Sequence, residues 1–157
     1  MNESDRIVDQ MDRAFSGEAW HGPPLMRLLE GLSAEHASQH PLPGTHSIWE
    51  LVLHIAAWKT IADLRLKGEA PHVSPARDWP PVWEVSEAEW KRAVDELAAS
   101  HARLRETTNK LKNDELNHEP PGATESRYVL LHGVVQHDLY HAGQIAILKQ
   151  ALHRKPS

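Results

Sequence analysis

Apolar residues recur at helical intervals in four stretches of the chain, and proline and glycine fill the intervals between them. Ile7, Met11, Ala14 and Phe15 follow Ser4, which predicts a short amphipathic helix N-capped by Ser4 and ending near Gly17. After Trp20-His21-Gly22-Pro23-Pro24 the pattern resumes with Leu25, Leu28, Leu29 and Leu32 and stops before Ser33, so the two pieces read as one broken first helix. Pro41-Leu42-Pro43-Gly44 is a loop, because neither proline fits a helix interior. A second long helix is predicted from Ser47, with Glu50 completing a capping box, to Lys67-Gly68; Ile48, Leu51, Val52, Ile55 and Ala62 form its buried arc.

Glu69 to Val85 has no helical or alternating period and contains four prolines, so it reads as a long connection. At up to about 3.3 Å per residue it can travel the roughly 30 Å of a 20-residue helix, which lets the second and third helices run parallel. Ser86 with Glu89 opens the third helix, through Trp90, Val94, Leu97, His101 and Leu104 to Leu111. Asn113 to Glu125 is a second loop, and the last helix spans Ser126 to Leu152. Four amphipathic helices without strand-like alternation predict an all-α four-helix bundle, a fold that builds metal sites from side chains on facing helices.

The last helix carries two histidines where its apolar stripe should continue. Leu130, Val134, His137, His141, Ile145 and Leu148 fall within an arc of roughly 80° on an ideal helix. Residues four apart lie one turn above each other, so both imidazoles can converge on one ion about 2.0–2.1 Å away. The competing reading is two ordinary core histidines, each hydrogen-bonded to a neighbour. A chelate needs a third ligand, and His54, at the edge of the buried arc of the second helix, is the leading candidate.

Composition narrows the chemistry. With 157 residues the chain fits a single domain, 1–157, and no apolar run reaches the roughly 18 residues of a membrane span. The opening residues Met1 to Arg6 lack a basic segment followed by an apolar one, so no secretory signal is expected. The absence of cysteine removes thiolate ligands and disulfides, which fits a reducing cytoplasm and leaves His, Asp or Glu for any metal. A net charge of -5 with scattered basic residues argues against nucleic acid as a partner. Among the 12 histidines, His36, His40, His72, His101, His118 and His153 lie in polar surroundings and are expected to be solvated.

His46-Ser47-Ile48-Trp49-Glu50-Leu51-Val52-Leu53-His54-Ile55-Ala56-Ala57-Trp58 resembles the second-helix motif of the DinB/YfiT-like metalloenzyme family, which ends on a ligand histidine. Gln136-His137-Asp138-Leu139-Tyr140-His141-Ala142-Gly143-Gln144-Ile145 resembles the family's last-helix HxxxH-x-GQI motif, and Trp20-His21-Gly22-Pro23 is similar to a segment of some members. The resemblance implies an up-down-down-up four-helix bundle, often a homodimer, that holds a divalent ion, usually nickel or zinc, on three histidines. Carried over by position, the metal ligands are His54, His137 and His141. The family includes thiol-dependent transferases and isomerases acting with bacillithiol or mycothiol.

Three neutral histidines leave at least one coordination position open, the arrangement of catalytic zinc. The expected function is therefore a metal-dependent enzyme, a thiol S-transferase or a hydrolase, acting on a small-molecule substrate such as a low-molecular-weight thiol. The alternative is a non-catalytic, metal-bound bundle serving as a stress-related binding module, its site closed by a carboxylate such as Glu50. A zincin-like HExxH reading fails at Asp138, which stands in the place of the glutamate and is one methylene shorter. Gln144, Tyr140 and Glu50 are candidates to orient a ligand or a bound water. Trp49, Trp58, Trp79, Trp83 and Trp90 are candidates for a substrate pocket or a dimer interface, with core packing as the other reading.

Overall fold

Serine side chains fix where most of the helices begin. Ser33, Ser47, Ser74, Ser86 and Ser126 each accept a hydrogen bond from the backbone N–H three residues on, satisfying a donor that the first helical turn leaves orphaned. The computed structural model describes residues 2–153, and these contain helices and no strand. In chain order they are α1 (Glu3–Phe15), α2 (Leu25–Leu29), α3 (Ala34–Ser38), α4 (Ile48–Leu66), α5 (Pro75–Asp78), α6 (Glu87–Asn109) and α7 (Arg127–Leu152), with one turn of 3-10 helix at Glu115–Asn117. The expected domain limits of 1 and 157 lie outside the described residues. No helix among the described residues is long and apolar enough to cross a membrane.

Three expectations about where helices begin and end need correction. Asn2, not Ser4, caps α1, in a reciprocal box with Asp5; Ser4 is buried instead and donates its hydroxyl to the Leu111 carbonyl at 2.9 Å. The broken first helix is two separate elements, α1 and α2, and Ser33 opens a third, α3, rather than ending the pattern. The proline-rich connection contains the short helix α5, started by Ser74 with Pro75 at its first position.

The second long helix lies where the sequence puts it. Ser47 and Glu50 form the full capping box at its start, and Gly68, at φ +90°, takes the left-handed conformation just past its end. Its predicted arc, Ile48, Leu51, Val52, Ile55 and Ala62, is at most 1% exposed. Trp49 and Ile61 are buried as well, because α4 packs against both α6 and α7.

Cross-helix pairs give the order of contacts. Trp49 meets Trp90, and Asp63 accepts the Thr107 hydroxyl, so contacts between α4 and α6 advance in the same chain direction. Against α7, α4 pairs in reverse: His54 faces His137 and His141, while Lys59 faces Asp138. Between α1 and the stretch made of α6 and the residues just past its end the order is also reversed, with Ser4 at Leu111 and Asp12 at Arg105.

Two apolar clusters fill the interior. One joins α2 and α3 to Ile55, Leu97, Ile145 and Leu148; the other joins Ile7 and Met11 of α1 to Ala62, Leu104, Leu131 and Val134. Between them, in sequence along each long helix, sit the buried polar residues Lys59, His101 and Asp138. His101 therefore corrects an expectation: it is 5% exposed rather than solvated, and its ring stacks on Phe15 at 3.8 Å.

Candidate metal centre

His54, one and a half turns into α4, meets the α7 pair edge to edge. Its Nε2 lies 3.0 Å from His137 Nε2, which in turn lies 3.1 Å from His141 Nε2. The three rings offer one nitrogen each within 4.8 Å of one another, a group that could hold a metal ion. His54 and His141 are buried, at 6% and 5% exposed, and His137 is half-buried.

The other ring nitrogens settle the tautomers. His54 Nδ1 is 2.6 Å from the Asp78 carbonyl oxygen, which can only accept, so the proton is on Nδ1 and Nε2 is a bare lone pair. His141 Nδ1 donates to Gln144 Oε1 at 2.6 Å, which leaves its Nε2 bare as well. His137 Nε2 stands between these two lone pairs and, with one proton at most, can satisfy only one. The cluster is short of protons.

Adding protons is opposed by the surroundings. Burial pushes all three imidazoles below their ordinary range, His137 to about 3, and there the neighbouring His141, His54 and Lys59 reinforce the effect. The residues present fit a divalent cation: neutral nitrogens about 3 Å apart, each about 2.0–2.1 Å from a shared ion, subtend roughly 95° at it. Isolated core histidines would each turn their nitrogens to separate neighbours, whereas here the Nε2 atoms of all three face one another.

The crossover between α4 and α6 holds this arrangement from outside. The Asp78 carbonyl accepts the hydrogen bond of His54 Nδ1–H, and the Asp78 carboxylate accepts that of the Trp58 indole N–H at 2.7 Å. Trp79 stacks flat on His54 at 3.8 Å and carries His46 on its other face at 3.6 Å. Asp78 and Trp79 were not picked out from sequence as orienting groups. Ser74-Pro75, a helix-start signature just before them, was the available signal that this segment is built rather than slack.

The remaining candidates separate clearly. Gln144 does orient one of the clustered histidines, accepting the hydrogen bond of His141 Nδ1–H. Glu50 does not reach the cluster: its carboxylate caps the Ser47 N–H at 2.7 Å and pairs with His40 at 3.0 Å. Tyr140 is exposed and meets His141 only edge-on, at 5.1 Å between ring centres. Asp138 turns away from the triad to Lys59 Nζ at 2.5 Å, so it cannot act there as a general base. Among the tryptophans, Trp58 and Trp79 flank the triad, Trp49 and Trp90 are core, and Trp83 is 91% exposed.

No curated protein and no solved structure matches the chain. The sequence profile of the DinB superfamily matches residues 23–145, well over half of the 157 residues and a span that contains all three clustered histidines. By that match, the chain belongs to the DinB superfamily.

Proposed function

We propose that His54, His137 and His141 bind one divalent ion, zinc or nickel, and that the protein is a metal-dependent enzyme, a thiol S-transferase or a hydrolase, for a small-molecule substrate. The observation that carries this reading is the proton shortage among the three Nε2 atoms, which a cation at their centre relieves. A divalent ion there supplies Lewis acidity, making a thiol or water that reaches it a stronger nucleophile near neutral pH.

The chain's own residues prepare that role. Asp78 and Gln144 hold the protons of His54 and His141 on Nδ1, so both Nε2 atoms stay available. Trp79 covers one face of His54 and keeps water from it. No carboxylate joins the cluster among the described residues, and Glu50 is committed to its helix cap, which favours an open site over one closed by a fourth ligand.

Elemental analysis of the purified full chain against each His→Ala variant tests the ligand set; unchanged metal content in all three variants overturns it. The protein is then loaded with nickel or zinc and offered low-molecular-weight thiols with an electrophilic acceptor, and separately ester and amide substrates. Turnover lost in His137→Ala is expected. Absence of turnover, together with a saturated four-ligand site by spectroscopy, would favour the non-catalytic binding module instead.

The same reading includes an up-down-down-up four-helix bundle of α1, α4, α6 and α7, supported by the same-direction contacts of α4 with α6 and the reversed ones elsewhere. It also includes a homodimer. Trp20 is fully exposed, and together with the outward Leu139 it lines a hollow of about 570 Å3 between α1 and α7, where apolar side chains suited to self-association sit beside the charged Asp9, Arg13 and Glu18. Light scattering that gives 17.7 kDa at micromolar concentration overturns the dimer.

A further inference from the structure

One helical turn from the triad, along the seam of α4 and α7 toward the start of α4, lies a cavity of about 370 Å3. Leu51, three residues before His54, and Gln144, three residues after His141, form the wall nearest the triad; Leu42, Thr45, His46 and Ile147 are among the residues enclosing the rest. The volume falls within the range of small-molecule pockets, about 300–1,000 Å3.

Two of these side chains also belong to the histidine cluster's support. His46 stacks on Trp79, which stacks on His54. Gln144 uses its carbonyl oxygen to hold His141, and its amide NH2 makes no hydrogen bond among the described residues. A polar donor with its orientation fixed by the ligand histidine is thus left free at the cavity wall.

The lining contains no Lys, Arg, Asp or Glu, so a charged group entering it would lose hydration without gaining a counterion. The walls are mainly hydrocarbon, which favours an apolar occupant. We propose that this cavity binds the uncharged, mainly apolar body of the substrate, with one hydrogen-bond-accepting oxygen held by the Gln144 amide. The proposal rests on the metal-centre reading above for its place in a reaction, though not for the binding itself.

The test titrates the full-length protein, its metal content measured in the same sample, with hexanamide and with hexylammonium, followed by ligand-observed NMR. Ile147→Trp and Thr45→Trp fill the cavity from exposed positions, and Gln144→Leu removes the amide donor. Saturable hexanamide binding is expected, with hexylammonium at least about tenfold weaker. Each tryptophan variant should weaken hexanamide by about tenfold or more with unchanged circular dichroism and metal content, and Gln144→Leu should weaken it by about fivefold. Hexanamide that does not bind, that binds no better than hexylammonium, or that ignores both tryptophan substitutions overturns the proposal. A wild-type chain that binds hexanamide as described yet holds no metal supports the cavity and overturns the three-histidine reading.

Discussion

Lys59 and Asp138 form an ion pair with each side chain 1% exposed and the charged atoms 2.5 Å apart, and it joins the same two helices that carry the clustered histidines. Breaking it from one side should be severe. Lys59→Met keeps nearly the same volume but strands a buried carboxylate whose second oxygen, Oδ1, already has no partner, and such losses cost about 3–5 kcal/mol. Against a typical total of about 5–15 kcal/mol, that is a large fraction of the stability. Burial already pushes the Asp138 carboxyl above its ordinary range, with Lys59 pulling it back down, so removing Lys59 raises it further. A raised folded-state pKa contributes stability that is present at low pH and lost as pH rises through it. The deficit of Lys59→Met should therefore be larger at pH 8 than at pH 5. Asp138→Leu should be comparably destabilising, whereas Lys59→Met combined with Asp138→Leu leaves no stranded charge and should recover most of the loss. Urea unfolding of the metal-free protein, followed by far-UV circular dichroism, measures all four corners of this cycle. Lys59→Met within about 0.5 kcal/mol of wild type, or a double variant no more stable than the weaker single one, would refute the reasoning.

Trp79→Ala removes the flat cover on His54 and should weaken zinc binding by about tenfold in a chelator competition, with the helix content unchanged. His101, held by burial at about 4 against an ordinary 6.5, binds fewer protons folded than unfolded between those values. The His101 contribution to stability should thus be full above the unfolded value and fall by about 3 kcal/mol as pH drops toward 4, a part of the slope that His101→Phe should remove in denaturant titrations across this range, leaving the part due to His54, His137 and His141. Zinc at about 100 times its dissociation constant should stabilise the wild type by about 2.7 kcal/mol in the same titrations, and leave His141→Ala unmoved. Gly68→Ala, at φ +90°, should cost about 1 kcal/mol, read as a lower urea midpoint at unchanged slope.

The long helices were legible because their signals are local. Ser47 with Glu50, and Ser126, announce starts that the structure keeps, and a 3.6-residue period marks what each helix buries. The histidine pair was legible for the same reason, since four residues on one helix fix the two rings' relation without reference to the rest of the chain. Long-range relations were not. Ser4 looked like a cap because its hydroxyl could serve the first turn, but a carbonyl 107 residues away claims it. His101 looked polar from its neighbours in sequence, yet Phe15, from a different helix, supplies the surface it stacks on. Glu50 was open to two roles, and the nearby cap and His40 took it before the metal cluster could.

The segment least readable from sequence, residues 69–85, is also what ties topology to chemistry. Contacts of α4 with α6 advance in the same direction, from Trp49 and Trp90 to Asp63 and Thr107, so the chain must return the length of α4 before α6 can begin. A short turn cannot do this, and a connection of such length carries backbone groups that need partners. The crossover meets that need beside the histidines: Ser74 caps α5, and the carbonyl of Asp78, the last residue of α5, accepts the hydrogen bond of His54 Nδ1–H. Trp79 then lies between His46 and His54 as the chain passes on. The return path that the helix order requires thus also sets which nitrogen of His54 is free. Lengthening it by a few flexible residues after Trp79 should leave the helices intact, while moving the Asp78 carbonyl itself should change the metal affinity. Inserting two glycines between Ser74 and Pro75, as against two between Pro81 and Val82, separates these outcomes: only the first is expected to weaken zinc binding, and no loss from either would show that His54 is oriented by α4 alone.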